Sequence, residues 1–396
     1  MNTHKKSALL IIYLGALAAF APFTVDSYLP AMPGLVKLFH TTAANIQLTL
    51  SLFLAGFAIG LLFWGPLSDR VGRKAVTVTG IFIFVCGSLF CGFSHSVTQL
   101  IFARIIQAFG ACAGIVMSLT IIKDTFTDAK EMTKVMSSMI SVAMISPMIA
   151  PIIGSYLLVH FGWSSIFYFL AAYGFILIIA SFFTTESYPK STRKPLPVNR
   201  LFHSYYQQAK FTPFLLITIA VATNFSVMFS FIASSPFIYI KLYELPRHLF
   251  GYFFAINAAA VMLGTITLRR LKGSVNDVKL ITIGLLITIV GAILMLVALK
   301  FNPTSIWNVV IFSFIVTYGV GILYPELTST ALRNVVQYTG LASSLINTSR
   351  SILSAIVGLL MGAFIVDSAL PLGITMLILS LLTATFFIIY LLSIDN

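Results

Sequence analysis

Residues 65–74 read Gly-Pro-Leu-Ser-Asp-Arg-Val-Gly-Arg-Lys and separate two long apolar stretches of the chain. Each flanking stretch is about 20 residues long, which is enough for a helix to cross a bilayer. Glycine adopts backbone conformations that other residues avoid, so Gly65 and Gly72 suit a tight reversal of the chain. The segment therefore predicts a short loop between two antiparallel membrane helices.

The charges in this loop indicate a gate. Asp69 suits a helix N-terminus, where negative charge is favoured. Arg73 follows one turn later, and we predict that it pairs with Asp124 at the end of a later helix. A solvated basic loop would account for Arg70 and Lys74, but not for an aspartate between two glycines at this spacing. The predicted gate comprises Gly65, Asp69, Arg70, Gly72, Arg73 and Asp124.

The composition extends this interpretation to the whole chain. Of its 396 residues, 59% are hydrophobic and only 9% are charged, whereas a soluble domain carries about 25% charged residues. Short alternating segments typical of a β-barrel do not occur. We predict an all-α polytopic membrane protein with twelve spanning helices at approximately 8–30, 45–66, 75–93, 98–123, 134–160, 164–184, 211–239, 249–268, 280–299, 306–330, 341–366 and 371–392.

One connection differs from the other short loops. Residues 185–210 are polar and basic and contain three prolines, so they predict a linker between two six-helix bundles, at 1–184 and 211–396. Two such bundles are the organisation of transporters that rock around a site at the middle of the membrane. The clearest internal echo of the loop at 65–74 is the basic run Arg-Arg-Leu-Lys-Gly at 269–273.

The net charge of +13 follows the predicted topology. Most Lys and Arg residues fall in segments on the side that holds both termini, the loop at 65–74 and the linker. Because Lys and Arg concentrate in cytoplasmic loops, we place this side in the cytoplasm and the protein in the inner membrane. Topology thus explains the basic charge, and no nucleic-acid partner is expected. The exceptions are Lys37, Lys241, Arg247 and Lys300 in outer loops and Arg104 and Arg350 inside helices.

The sequence offers few groups for catalysis or cofactor binding. The six histidines fall in tails, loops or helix ends, and no H-E-x-x-H, C-x-x-C or G-x-x-x-x-G-K-[ST] pattern occurs. Cys86 and Cys91 are five residues apart on one helix, so their side chains point apart and free thiols are expected. We predict no enzymatic activity, no metal site and no cofactor, with transport driven by a proton gradient.

Four motifs resemble those of a known family. The loop at 65–74 is similar to the G-x-L-a-D-r-x-G-r-[KR] signature of the major facilitator superfamily. Residues 26–33, Asp-Ser-Tyr-Leu-Pro-Ala-Met-Pro, resemble the D-x-Y-L-P-x-x-P of proton-driven drug exporters. Residues 104–110 resemble R-x-x-Q-G-x-G, with Ala108 in place of a glycine. Residues 150–155 are a degenerate form of the antiporter motif G-P-x-x-G-G.

The resemblance is closest to the Bcr/CflA branch of drug:proton antiporters, named for bicyclomycin resistance, and it spans nearly the whole chain. Residues 229–240 and 250–257 carry it in the second half. It implies the major facilitator fold. Ala150 and Ser155 depart from the antiporter motif, and Glu326 stands where relatives more often have Asn, which suggests a different substrate.

Charged residues inside spans are the leading site candidates, because charge at membrane depth costs at least about 2.5–3.5 kcal/mol on insertion scales. The resemblance places the proton-coupling acid at Asp26, and Arg104 lies at a matching depth, so we predict that the two pair. Glu326 and Arg350 are within reach of each other and form a candidate second pair, either functional or structural.

Uncharged candidates complete the predicted site. In the antiporter motif, Pro147, Pro151 and Gly154 share one helix face, which predicts a kink and a close approach by another backbone. Weaker candidates for the substrate cavity are Tyr28, Phe53, Gln107, Met117, Asn224, Phe231, Tyr239 and Asn257.

We predict a proton-coupled antiporter that exports small amphipathic compounds by alternating access, with a small molecule, protons and the lipid bilayer as partners and a monomeric chain. An alternative with the same fold is export of one dedicated metabolite or siderophore, or import of a nutrient. A membrane-embedded enzyme is disfavoured by the lack of clustered catalytic side chains, and a channel by the two-half layout.

Overall fold

A computed structural model describes residues 3–126, 128–189, 191, 208, 210–333, 335, 339–364 and 368–395. Within these ranges twelve helical segments are long and apolar enough to cross a bilayer, so the chain is an all-α polytopic membrane protein. The α-helices are α1 (Thr3–Asp26), α2 (Met32–Leu38), α3 (Ala43–Val71), α4 (Arg73–Gly92), α5 (Val97–Thr125), α6 (Ala129–Phe161), α7 (Ser164–Phe182), α8 (Thr212–Pro236), α9 (Arg247–Leu271), α10 (Asp277–Phe301), α11 (Ile306–Arg333), α12 (Thr339–Phe364) and α13 (Leu370–Asp395).

The first span is interrupted where the sequence predicts one continuous helix to residue 30. Helix α1 ends at Asp26, a 3₁₀ turn covers Leu29–Ala31, and α2 continues the span. Pro30 and Pro33 lack the N–H that an α-helix interior requires, and Pro33 lies in the first turn of α2, where the missing N–H has no consequence. The break leaves Asp26 at a helix end inside the span.

Polar side chains mark several helix starts. Ser96 accepts a hydrogen bond from the backbone N–H of Gln99 at the start of α5. Asp128 and Asn276 accept equivalent bonds at the starts of α6 and α10. These caps satisfy N–H groups that have no partner within the helix, so the connections can be short.

The chain forms two compact units, Met1–Tyr28 with Leu52–Pro197, and Leu29–Ser51 with Val198–Asn396. In the first unit, α1 packs on α5 and α6, and α4 packs on α5 and α7. In the second unit, α8 packs on α11 and α12, and α10 packs on α11 and α13. The same pairings therefore recur in both, in the same chain order, although sequence similarity between the halves is weak.

Residues Leu29–Ser51 belong to the second unit, although they fall within the predicted first half at 1–184. Within that unit the Gln47 side-chain amide donates to the carbonyl of Ala233 at 2.7 Å. A Cβ added at Gly362 would lie 2.7 Å from the Gln47 side chain, so the chain packs tightly here. Of the predicted linker at 185–210, residues 190, 192–207 and 209 lie outside the described residues.

Large apolar side chains cover much of the surface. Phe183 and Phe301 are 85% and 83% exposed, and Phe90 and Ile388 are also exposed. Exposed apolar area on this scale is unfavourable in water and favourable against lipid. Asp26, Arg104 and Glu326, by contrast, are buried.

Candidate functional site

Arg73 is the centre of an ion cluster in the first unit. Its Nε donates to Asp124 at 2.7 Å and its Nη1 donates to Asp69 at 2.6 Å. The Nη1 group also donates to Ser68 Oγ at 2.6 Å. The Arg73 side chain is 6% exposed, whereas those of Asp69 and Asp124 are 43% and 19% exposed. The predicted pairing of Arg73 with Asp124 is confirmed.

The two glycines of the predicted gate have different roles. Gly72 has φ of 104° between α3 and α4, so the predicted requirement for glycine in the reversal is confirmed there. Gly65 lies inside α3, six residues before its end, and an added Cβ would meet nothing within 4 Å. The reversal therefore does not use Gly65. Arg70 lies next to these residues and is exposed.

The carboxylate at the N-terminus of α4 is Glu186, where the sequence suggested Asp69. Glu186 accepts from the backbone N–H of Arg73 at 2.9 Å and of Lys74 at 3.3 Å. Tyr188 lies with its ring centroid 4.4 Å from the Arg73 guanidinium carbon. Both residues stand at the start of the predicted linker, whose polar composition gave no sign of these contacts. The only sequence signal was an acid directly after a span.

Arg104 is fully buried in α5 of the first unit. Its Nη1 donates to Gln107 Oε1 at 2.7 Å, and the Gln107 amide donates to Ser88 Oγ at 2.8 Å. The Nε and Nη2 atoms of Arg104 are buried and have no hydrogen-bond partner among the described residues. The guanidinium is thus only partly satisfied.

Aromatic rings surround this cation. The guanidinium carbon of Arg104 lies 4.3 Å from the ring centroid of Phe53, 4.8 Å from that of Tyr28 and 5.9 Å from that of Phe167. A desolvated cation is attracted to ring faces at these distances. Tyr28, Phe53 and Gln107, which we predicted as cavity candidates, therefore shield Arg104 in this structure.

The predicted pairing of Asp26 with Arg104 is wrong for this conformation. Asp26 is 3% exposed at the end of α1, and no ion pair joins it to Arg104, although the structure describes both side chains. Matching depth along two helices does not make two side chains face each other, and Gln107 and the rings already hold the guanidinium. Asp26 is a buried carboxylate without a cationic partner among the described residues.

The antiporter-motif helix α6 contacts the chain directly after Asp26. A Cβ added at Gly154 would lie 2.0 Å from the carbonyl oxygen of Ser27, so the predicted close approach by another backbone is confirmed. Pro147 and Pro151 lie inside α6, which continues without interruption from Ala129 to Phe161. Any larger residue at Gly154 would push the segment that carries Asp26.

The second unit also corrects a predicted pair. Glu326 is fully buried in α11, and its Oε2 accepts from Lys272 Nζ at 2.5 Å instead of from Arg350. The Arg350 Nη1 donates to the hydroxyl of Tyr324, and its guanidinium lies over the ring of Phe225. Lys272 directly follows α9, and α9 packs on α11, so the Lys272 side chain can reach Glu326. The prediction compared only depths along the helices and did not include this packing.

The remaining cavity candidates are all buried. Met117 lies in the first unit, and the other four in the second. Phe231 and Tyr239 have ring centroids 6.1 Å apart, and Asn257 accepts from Thr317 at 3.2 Å. Asn224 Oδ1 has no hydrogen-bond partner among the described residues. These contacts join Phe231 to Tyr239 but do not define a single pocket.

The described residues contain no group of three or more His, Cys, Asp or Glu side chains suited to a metal ion. Cys86, Cys91 and Cys112 form no disulfide bond.

Comparisons with known proteins agree with this architecture. The Major Facilitator Superfamily matches residues 13–359. The bicyclomycin resistance protein homolog of Haemophilus influenzae is 31% identical over 381 residues, which cover 95% of this chain and 94% of that protein. The uncharacterized MFS-type transporter YdgK of Bacillus subtilis is 30% identical over 383 residues, with the same coverage. A multidrug resistance protein MdtL of Shewanella sp. is 27% identical over 347 residues, or 87% of this chain and 86% of that protein.

Solved structures show the same fold. A D-xylose-proton symporter superposes with a TM-score of 0.74 at 14% identity, covering 97% of this chain and 98% of the other. A bacterial homolog of the human lysosomal transporter Spinster, in an inward-facing and occupied conformation, gives 0.71 at 16% identity, covering 100% and 98%. The chain is therefore a multi-pass membrane transporter of the Major Facilitator Superfamily and belongs with its bicyclomycin-resistance relatives.

Proposed function

We propose that this transporter exports small amphipathic compounds in exchange for protons, across the inner membrane and with both termini in the cytoplasm. The observation that carries the proposal is Asp26. It is a buried carboxylate at a helix break within a span, and it has no cationic partner among the described residues. An ionisable group at this depth is costly, and proton carriers use such groups. Relatives named as a bicyclomycin resistance protein homolog and as a multidrug resistance protein support the export direction.

In the proposed cycle, Asp26 takes up a proton from outside and releases it inside. Engagement with Arg104 would favour release, because a nearby cation stabilises the carboxylate. Separation of the two, as in this structure, would favour the protonated acid. A membrane potential of about 100 mV supplies about 2.3 kcal/mol per proton, so one proton per cycle supports a gradient on the order of 50-fold for a neutral compound.

The test uses proteoliposomes with an imposed pH gradient and ethidium as the reporter. We expect Asp26→Asn to lose proton-driven ethidium movement by at least tenfold. Glu131→Gln is the matched control, because Glu131 is exposed in the first turn of α6, and it should retain full transport. Transport by Asp26→Asn that still responds fully to the pH gradient would exclude Asp26 as the coupling group.

We also propose that the Arg73 cluster is a gate on the cytoplasmic side. The ion pairs of Arg73 with Asp69 and Asp124 support this proposal. Orientation is tested with single cysteines at Ser191 and Ser305 and an impermeant thiol reagent added to intact cells. Ser305 should be labelled and Ser191 should not; the reverse result would invert the topology.

A further inference from the structure

Arg350 lies in the interior of a span in the second unit. Among the described residues it forms no ion pair with a carboxylate. Its guanidinium carbon lies 4.5 Å from the ring centroid of Phe225 and 5.6 Å from that of Tyr324. Its Nη1 donates to the Tyr324 hydroxyl, while Nε is buried and has no hydrogen-bond partner among those residues. The side chain is thus held in place by neutral groups, and its positive charge is not compensated.

The described carboxylates of this unit form ion pairs with other cations or are exposed. Glu326 binds Lys272 through Oε2, while its Oε1 has no hydrogen-bond partner among the described residues, and Asp277 binds Arg333. The other acidic side chain that the structure describes in this unit, Glu244, is exposed in the loop before α9. An opposite charge for Arg350 must therefore come from outside the described part of the unit, or from a ligand.

The position of Arg350 on α12 separates it from lipid. Exposed apolar side chains at Ile352, Ile356 and Leu359 mark the lipid-facing side of this helix. Arg350 lies two residues from Ile352 and nine from Leu359, which at about 100° per residue places it on the opposite side from both. Half-buried cations inside a span face a water-filled pathway or a partner, because exposure to hydrocarbon is prohibitive.

Other polar residues of α12 share this side. Ser343, Asn347, Arg350 and Ser354 follow one another at spacings of four, three and four residues. Ser343 and Asn347 are half-buried, and Ser354 Oγ lies 3.1 Å from Ser226 Oγ on α8. Arg350 therefore belongs to a row of polar residues along one side of α12.

We propose that Arg350, Phe225 and Tyr324 form a recognition site for the anionic group of an amphipathic aromatic substrate, such as a carboxylate or a sulfonate. The guanidinium would supply charge-assisted hydrogen bonds, and the two rings, whose centroids are 5.5 Å apart, would supply apolar contact. This inference rests on the proposed export of amphipathic compounds and names one class of them. A phospholipid headgroup presents similar anionic chemistry; we assign the site to a soluble anion.

The experiment measures thermal unfolding of the purified full-length chain in dodecyl maltoside. The probes are indole-3-acetate, indole-3-acetamide and tryptamine, which share a ring and carry charges of −1, 0 and +1. A second pair is naphthalene-1-sulfonate and naphthalene-1-sulfonamide. We expect the two anions to raise the unfolding temperature at concentrations at least tenfold lower than their neutral analogues.

Arg350→Gln should abolish this preference for anions, and Arg350→Lys should keep it with weaker binding. Arg270→Gln is the matched control, because Arg270 is exposed in the last turn of α9 and its loss changes the net charge equally. If Arg350→Gln does not fold, Tyr324→Phe provides the test and should weaken anion binding about threefold.

The proposal is overturned if no anion stabilises the protein more than its neutral analogue, if the preference survives in Arg350→Gln, or if Tyr324→Phe binds the anions as tightly as the wild type does. It is also overturned if phosphatidylglycerol, and neither soluble anion, gives the Arg350-dependent stabilisation. The ethidium assay tests the proton-coupling proposal independently of this one. Because ethidium is cationic, its Asp26-dependent movement can persist when anion recognition fails. Anion binding in detergent can likewise persist when proton coupling fails.

Discussion

The two units place ion pairs at matching points of their helices, with the charges exchanged. In the first unit Arg73 begins α4 and binds Asp124, which lies in the last turn of α5. In the second unit Asp277 begins α10 and binds Arg333, the last residue of α11. Helices α4 and α5 pack on each other as α10 and α11 do. The acidic and the basic partner can therefore be exchanged between the two helices, because the attraction between opposite charges does not depend on which helix carries which sign.

Burial distinguishes the two clusters more than sign does. The Arg73 side chain is 6% exposed, whereas those of Arg333 and Asp277 are 54% and 33% exposed. Water screens the exposed pair, so its contribution to stability is small. A buried ion pair contributes little net stability, but loss of one partner is strongly destabilising because the other charge stays buried and unpaired. Equivalent positions in the two units therefore differ in how much they contribute to stability.

The largest expected effect is that of Arg73→Gln. The change removes the common partner of Asp69 and Asp124, and we expect a loss of stability of about 3 kcal/mol. The measurement is the thermal unfolding temperature in detergent, together with the yield of folded protein. Arg70→Gln, which changes an exposed residue in the last turn of α3, serves as the control. An unfolding temperature for Arg73→Gln within 1 °C of that of the control would show that burial does not increase the contribution of this cluster to stability.

Lys272→Met should have the next largest effect, about 2 kcal/mol, because it leaves the fully buried Glu326 carboxylate without its cation. The double variant with Glu326→Gln should recover at least half of this loss, since no charge then remains unpaired. A double variant that is less stable than Lys272→Met would mean that Glu326 contributes through another contact.

Asp69→Asn should lower stability by only about 1 kcal/mol, because the Asp69 side chain is 43% exposed and Asp124 remains bound to Arg73. Transport should nevertheless slow, since the gate loses one of its contacts. Ethidium movement into proteoliposomes over a range of proton gradients measures this. Rates equal to those of the wild type at every gradient would remove Asp69 from the gate.

The smallest expected effect is that of Asp277→Asn, at about 0.5 kcal/mol or less. The pair with Arg333 is exposed, so the difference from the wild type should shrink further in 1 M NaCl. Unfolding temperatures at low and high salt provide the test. A loss as large as that for Arg73→Gln would show that the two clusters are equivalent despite their different exposure.

Much of the fold could be predicted because span length is a local property. The twelve predicted segments correspond to the twelve spans, and the Arg73–Asp124 pair was predicted correctly. The predicted loop at 65–74 was too long, because α3 continues to Val71 and α4 begins at Arg73. The break after Asp26 was missed although Pro30 and Pro33 signal it, because a run of apolar residues on both sides favoured one continuous helix.

The partners of isolated charges were predicted less well. Asp26 with Arg104 and Glu326 with Arg350 were chosen by depth along the helix, and neither pair is formed. Depth gives only the position of a residue along the membrane normal. A contact also requires that two side chains project towards each other, which depends on the rotation of each helix about its axis and on the side-chain rotamers.

The residue order of this chain was sufficient to locate its twelve spans, because hydrocarbon requires each span to satisfy its own backbone hydrogen bonds and to be long enough to cross. Helix packing was needed to assign Lys272 to Glu326, Glu186 to the start of α4, and neutral rings to Arg104. Those contacts join residues far apart in the chain. Packing selects them because each buried charge takes the nearest available group in three dimensions, and that group's position depends on every helix around it.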